Sequence, residues 1–128
     1  MKESVTIAAA EIRPNWLNKT RTVDQAVDSI ESASADGVRL LVIPEAFVSG
    51  YPFGVGRTDG ASFDSSLQEV AYSQFLRASV ESDSPEVGRL VEAARDCKVA
   101  VQIGVNERGR TIGRGTVYCR LLTIHAER

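Results

Sequence analysis

Hydrophobic positions along this chain alternate between strand-like and helix-like spacing. Residues 4–12 are predicted to form a strand, and residues 38–44 are an apolar run short enough to be a strand buried on both faces of a sheet. Between them, hydrophobic residues recur on one helical face over residues 23–35. Thr22 and Gln25 have the spacing of a capping box, and a glycine ends this helix.

The second half of the chain continues this alternation. Residues 52–63 are rich in glycine and are predicted to form a loop, and residues 64–79 a helix with a poor hydrophobic stripe. A helix capped by Ser84, with proline at its first position, follows. Residues 99–106 and 115–125 are predicted strands. Helices between the first three strands imply parallel or mixed pairing, so we expect an α/β fold.

Composition and charge narrow the class of protein. The 128 residues are 43% hydrophobic and 25% charged, which predicts one ordered domain at most. A net charge of −2 gives no reason to expect nucleic acid as a partner. No segment approaches the roughly 20 apolar residues of a membrane span, and we expect no membrane partner. Two cysteines on separate segments favour reduced thiols in a cytoplasm, and twelve arginines against three lysines favour a bacterial source.

Glu45 is the leading candidate for chemistry. It follows directly on the apolar run 38–44, and open α/β folds present catalytic groups at the carboxyl ends of buried strands. Desolvation at such a place raises the pKa of a carboxylate towards the working pH, as a general base needs. Taken alone, however, a glutamate at a strand end is more often a solvated carboxylate. Tyr51, in the turn that follows, either lines a pocket beside Glu45 or packs on the fold.

Other chemically active residues favour structural roles. His125 is the only histidine, so we expect neither a metal site nor a catalytic triad. Cys97 and Cys119 are predicted to be small buried hydrophobes rather than nucleophiles. The Gly54–Gly56 segment opens no capped helix directly after a strand, which disfavours a phosphate site. Three arginines alternate with glycines and are predicted to lie in a solvated hairpin loop: Arg108, Arg110 and Arg114.

The segment from Gly37 to Pro52 resembles the glutamate signature of the nitrilase, or carbon–nitrogen hydrolase, superfamily. Glu45 stands at the place of the catalytic glutamate, and the Gly-Tyr-Pro ending resembles nitrilases and cyanide-converting relatives more than amidases. The similarity extends over most of the chain and is loosest between residues 52 and 83. The constrained positions are filled by Gly37, Leu40, Leu41, Ile43, Glu45, Val48, Gly50, Tyr51 and Pro52.

This resemblance implies both a fold and a reaction. The family fold is an α-β-β-α sandwich, of which this chain would supply the first sheet and its helices. Glu45 would take the proton of a cysteine thiol, the thiolate would attack a nitrile carbon, and a lysine would stabilise the developing charge. Water would then release a carboxylic acid and ammonia, without a metal or organic cofactor. The resemblance also implies a homo-oligomeric full-length protein.

The lysine and cysteine motifs of the family are missing from this sequence. Lys2, Lys19 and Lys98 stand in no matching context, nor do the two cysteines. We therefore expect residues 1–128 to be the N-terminal portion of a carbon–nitrogen hydrolase domain, truncated before both motifs and inactive alone. Three alternatives stay open: an amidase or cyanide hydratase of the same superfamily, an inactive fragment or interaction partner, and an unrelated α/β binding module.

Overall fold

The chain contains alternating strands and helices. The structure, a computed structural model, describes residues 3–60, 62–113 and 115–127. The strands form a single four-stranded sheet within these residues. The elements are β1 (Ile7–Ala9), α1 (Lys19–Ala35), β2 (Leu40–Val48), α2 (Phe53–Arg57), α3 (Ser66–Ala78), α4 (Pro85–Cys97), β3 (Ala100–Arg108) and β4 (Val117–Ile124).

The sheet has the strand order β1-β2-β3-β4. The first three strands are parallel, whereas β4 pairs antiparallel with β3, as expected for strands joined by a short loop. Helices α1 and α4 pack on each other and on the sheet. The predicted α/β fold, with one sheet and its helical layer, is confirmed.

One face of the sheet forms the core with α1 and α4. Alternate residues of β3 point to this face, and Val101 and Ile103 are fully buried there beside Ile30 and Leu90. The opposite face has no helical layer in the described part of the chain. On it, Ile7 of β1 and Leu121 of β4 are 61% and 60% exposed. The sheet is therefore apolar on both faces but covered on one.

A bulge interrupts β2 near its carboxyl end. Ile43 pairs with Ile103 and Val48 with Val105, so the four residues from Pro44 to Phe47 lie opposite the single residue Gly104. Extra residues in one strand bend it away from its partner and re-aim its side chains. The bulge carries Glu45 out of the regular line of β2.

The predicted start of the first helix is wrong. Helix α1 begins at Lys19 because Asn18 is its N-cap, with a side chain that accepts a hydrogen bond from the Arg21 amide. Thr22, the predicted cap, is buried inside the helix, where its hydroxyl donates to the Asn15 carbonyl and accepts from the Asn15 amide.

The predicted loop over residues 52–63 contains the short helix α2, which packs against α3. Strand β1 is shorter than its predicted range of residues 4–12 because its pairing with β2 covers only Ile7–Ala9. The other predicted helices and strands are confirmed to within a few residues at each end.

Candidate active site

Glu45 lies at the crest of the β2 bulge, on the sheet face that has no helical layer. Both ends of the bulge are anchored in the core, since Ile43 and Val48 are almost fully buried. The next residue, Ala46, adopts a left-handed conformation with φ of 50°. This arrangement projects the Glu45 side chain from the sheet rather than into the helical layer.

The predicted desolvation of Glu45 is wrong for the described residues, because its side chain is exposed. Residues before the bulge, up to Ile43, alternate between the core and the open face as a regular strand does. Within β2, only alternate residues of the apolar run, Leu41 and Ile43, are buried, so the predicted burial on both faces of the sheet is wrong for the described residues. The bulge then turns the carboxylate to the uncovered face.

Cys119 is the side chain that contacts Glu45. It extends from β4, where it pairs with Asn106, and its Sγ lies 3.4 Å from Glu45 Oε1, with the thiol donating. Partial desolvation raises the pKa of the Cys119 thiol, and the hydrogen bond to Glu45 and its negative charge raise it further. The amide of Ala46 acts in the opposite direction. Cys119 is thus a protonated donor to the carboxylate near neutral pH.

Cys119 was predicted to be buried, and this is wrong, because the residue is exposed. Cys97 is half-buried, and burial raises its thiol pKa. The contact with Cys119 joins residues 74 positions apart, and it depends on the registers of β2 with β3 and of β3 with β4. Sequence spacing carries no signal for such a pair.

The Gly-Tyr-Pro turn is tied to the end of the sheet by a buried amide. Asn106 of β3 donates to the carbonyl oxygens of Val48 and Gly50, at 3.2 and 2.8 Å. The indole of Trp16 donates to the Tyr51 carbonyl at 3.0 Å. These bonds hold the backbone that leads away from Glu45 in one path.

Tyr51 itself is 56% exposed, and its ring centroid lies 5.1 Å from that of Phe53. A cavity of about 280 Å³ lies between α2 and α3 and is bordered by Pro52 and Phe53. Neither Tyr51 nor Glu45 lines it. Tyr51 therefore lies in the turn that follows β2, and the structure does not bring its side chain together with that of Glu45.

Charged residues near the β3–β4 connection form ion pairs. Arg108 contacts Glu81 at 2.6 Å, and Arg110 contacts Asp83 at 2.6 Å. The predicted solvated loop is therefore wrong for Arg108, which ends β3, while Arg114 lies outside the described residues. The described residues contain no group of three potential metal ligands, and none of their helices has the length and apolar content needed to cross a bilayer.

The α/β sheet, with Glu45 on its bulge and a Gly-Tyr-Pro turn a few residues further on, points to the class of protein to which this chain belongs. The sequence matches the carbon–nitrogen hydrolase family over residues 6–128, and the chain belongs to that family. It is 35% identical to the aliphatic nitrilase of Rhodococcus rhodochrous over 123 residues, or 94% of this chain and 31% of that protein. It is 37% identical over 107 residues to a bifunctional nitrilase/nitrile hydratase of Oryza sativa, covering 79% of this chain and 28% of that protein.

A solved structure shows the same fold. The carbon–nitrogen hydrolase superfamily protein of Xanthomonas campestris superposes with a TM-score of 0.67 at 18% identity, over 98% of this chain and 38% of that one. The resemblance to the carbon–nitrogen hydrolase superfamily is confirmed by the family match, and both sequence relatives are named as nitrilases. The chain spans about a third of the length of the curated relatives it matches.

Proposed function

We propose that this chain is part of a nitrile-hydrolysing enzyme in which Glu45 is the general base. The observation that carries the proposal is the β2 bulge, which lifts this carboxylate out of the sheet at the carboxyl end of a parallel strand. Family membership and the nitrilases among the relatives support the same reaction class. The whole protein's substrate is proposed to be a nitrile.

The proposed reaction uses a covalent intermediate. Glu45 accepts the proton of a cysteine thiol, the thiolate adds to the nitrile carbon, and a lysine stabilises the charge that develops on nitrogen. Two water molecules then convert the adduct to a carboxylic acid and ammonia and free the thiol. Splitting the reaction in this way needs no metal or organic cofactor.

We propose that residues 1–128 form the N-terminal portion of the catalytic domain. The nucleophilic cysteine and the lysine would then come from chain outside these residues, since no lysine or cysteine here stands in the family's motif. Tyr51 is proposed to border the substrate from the turn after Glu45. On this proposal the 128-residue chain alone releases no ammonia from nitriles.

Two other functions compete with this one. An amidase would release ammonia from amides only, and a cyanide hydratase would stop at the amide product. An inactive fragment, or a partner of related full-length subunits, would show no turnover in any setting. The products formed by a complete enzyme therefore separate these alternatives.

A chimera provides the test. Residues 6–128 replace the matching segment of the Rhodococcus rhodochrous aliphatic nitrilase, and ammonia and acid are measured with aliphatic nitriles, amides and cyanide. Glu45→Gln should lower kcat by about 100-fold to 10,000-fold, as expected when a general base is lost. Glu107→Gln is the matched control, because Glu107 also lies near the carboxyl end of a parallel strand but pairs with Arg120 at 3.0 Å.

The control variant should keep turnover within a few-fold of the parent chimera. Near-normal turnover of the Glu45→Gln chimera would refute the role of Glu45. A folded chimera that converts only amides, or cyanide only to formamide, would favour the corresponding alternative. A folded chimera without any turnover would favour the non-catalytic one.

A further inference from the structure

We propose that Gly104 is a positioning residue for Glu45: the missing side chain at this point of β3 is what allows the β2 bulge to place the carboxylate against Cys119. The catalytic consequence of this placement rests on the proposed function. The placement itself concerns only the described residues and can be tested without turnover.

Space, not backbone conformation, explains the glycine at position 104. Its φ does not lie in the left-handed region that favours glycine. A Cβ added there would lie 2.5 Å from both the Ala46 amide nitrogen and the Glu45 Cα, and closer still to the Pro44 carbonyl oxygen. All three are backbone atoms, which cannot rotate away as the end of a side chain can. Any side chain at Gly104 must therefore displace the bulge.

The size of this displacement follows from ordinary contact distances. Non-bonded carbon atoms are most favourably separated by about 3.5–4.0 Å, so a methyl group at Gly104 would push the Glu45 backbone outward by about 1 Å. The buried neighbours Ile43 and Val48 hold both ends of the bulge, which leaves the movement to the residues between them. Glu45 lies at the centre of that stretch.

Glu45 reaches Cys119 only because of this path. Gly104 pairs with Leu121 of β4, and Cys119 lies two residues before Leu121, so it points to the same face of the sheet. The bulge crosses that face over Gly104 and brings the carboxylate to 3.4 Å from the thiol. Displacing the bulge should lengthen or break this hydrogen bond. A 1 Å misplacement of a catalytic group can cost about 100-fold in rate.

The Cys119 thiol reports on the position of Glu45 in the 128-residue chain itself. Its alkylation by iodoacetamide is followed from pH 7 to 10, in a Cys97→Ser background that leaves one thiol. Glu45→Gln removes the charge and sets the upper limit of reactivity. Gly104→Ala should move the reactivity profile towards that limit. Gly88→Ala is the matched control, because a Cβ at Gly88 of α4 would meet no atom within 4 Å.

Each unit by which the thiol pKa falls raises the thiolate fraction about tenfold, while the intrinsic nucleophilicity of the thiolate declines. With a Brønsted coefficient of about 0.4–0.5, the net gain in alkylation rate below the pKa is about three- to fourfold per unit. Gly104→Ala should show a gain of this kind, and Gly88→Ala should not. Unchanged reactivity in folded Gly104→Ala, or in Glu45→Gln, would overturn the proposal.

A second measurement uses the unmodified chain, in case Gly104→Ala does not fold. Nuclear Overhauser contacts are expected between the Gly104 α-protons and both the Glu45 α-proton and the Ala46 amide proton. Their absence in a chain with an otherwise assigned sheet would overturn the proposal. Because neither readout involves turnover, a failed role of Glu45 in the chimera and a failed placement by Gly104 give different results.

Discussion

Replacing Asn106 with alanine should destabilise the chain strongly, because this side chain is almost fully buried and makes two hydrogen bonds. Its amide donates to the Val48 and Gly50 carbonyl oxygens at 3.2 and 2.8 Å. Asn106 is 2% exposed, so water cannot replace the lost donors readily. Both acceptors are in buried residues, Val48 at the end of β2 and Gly50 in the turn that follows.

The expected loss in the free energy of unfolding comes from the two carbonyl groups that are left without this donor. A buried polar group that loses its partner costs about 1–3 kcal/mol, so two such groups give about 2–4 kcal/mol once partial rearrangement is allowed for. Whole domains are stable by only about 5–15 kcal/mol. With a urea m-value of about 1.5 kcal/mol/M, the midpoint should fall by about 1–3 M.

Urea unfolding followed by far-UV circular dichroism measures this loss at dilute protein. Asn18→Ala serves as the control, since it removes an exposed helix cap and should cost about 1 kcal/mol. Asn106→Asp is the sharper variant, because it keeps the shape of the side chain but replaces its donor with an acceptor. A midpoint shift for Asn106→Ala no larger than that of the control would refute the reasoning.

Two further expectations concern the open face and the thiols. If the apolar open face of the sheet binds dye and drives self-association, Leu121→Lys should lower hydrophobic dye binding and self-association in size-exclusion chromatography. Ile112→Lys, at a 98% exposed position between β3 and β4, should change neither. Equal effects of the two variants would contradict this role of the open face. The pKa values of Cys97 and Cys119 are raised above 9.0, so the folded chain binds these protons more tightly than the unfolded chain. Stability should therefore be intact below pH 9 and should fall as the pH rises from 9 through the higher pKa of the folded thiols. Urea melts of a double serine variant should show a smaller fall, and an equal fall would speak against this origin.

The sequence predicts the fold class and the order of elements because these depend on local patterns. A run such as Val38 to Ile43 is apolar without interruption, and its length separates a strand from a helix. The start of α1 is harder to predict from the sequence, since Asn18 and Thr22 are both residues that commonly cap helices. Only the tertiary contact between Thr22 and Asn15 decides that Thr22 lies inside the helix.

The candidate site likewise contains one residue that local sequence predicts and others that only the structure identifies. Glu45 was found from sixteen consecutive residues, because its motif is local. Gly104, Asn106 and Cys119 were not assigned to the site, since their roles depend on how β3 and β4 are aligned with β2. A glycine in a strand carries a general signal of close backbone approach, but the approaching atoms can be named only once the register is known.

In the proposed enzyme, the placement of Glu45 and its desolvation come from different parts of the fold. The bulge over Gly104 and the bond from Cys119 set the position of the carboxylate within residues described here. The carboxylate nevertheless lies on an exposed face, which it shares with Ile7 and Leu121. A general base gains from a dry environment, and an apolar sheet face gains from being covered. One layer packed on this face would satisfy both requirements at once, so chemistry at Glu45 should depend on closure of the sandwich rather than on this sheet alone.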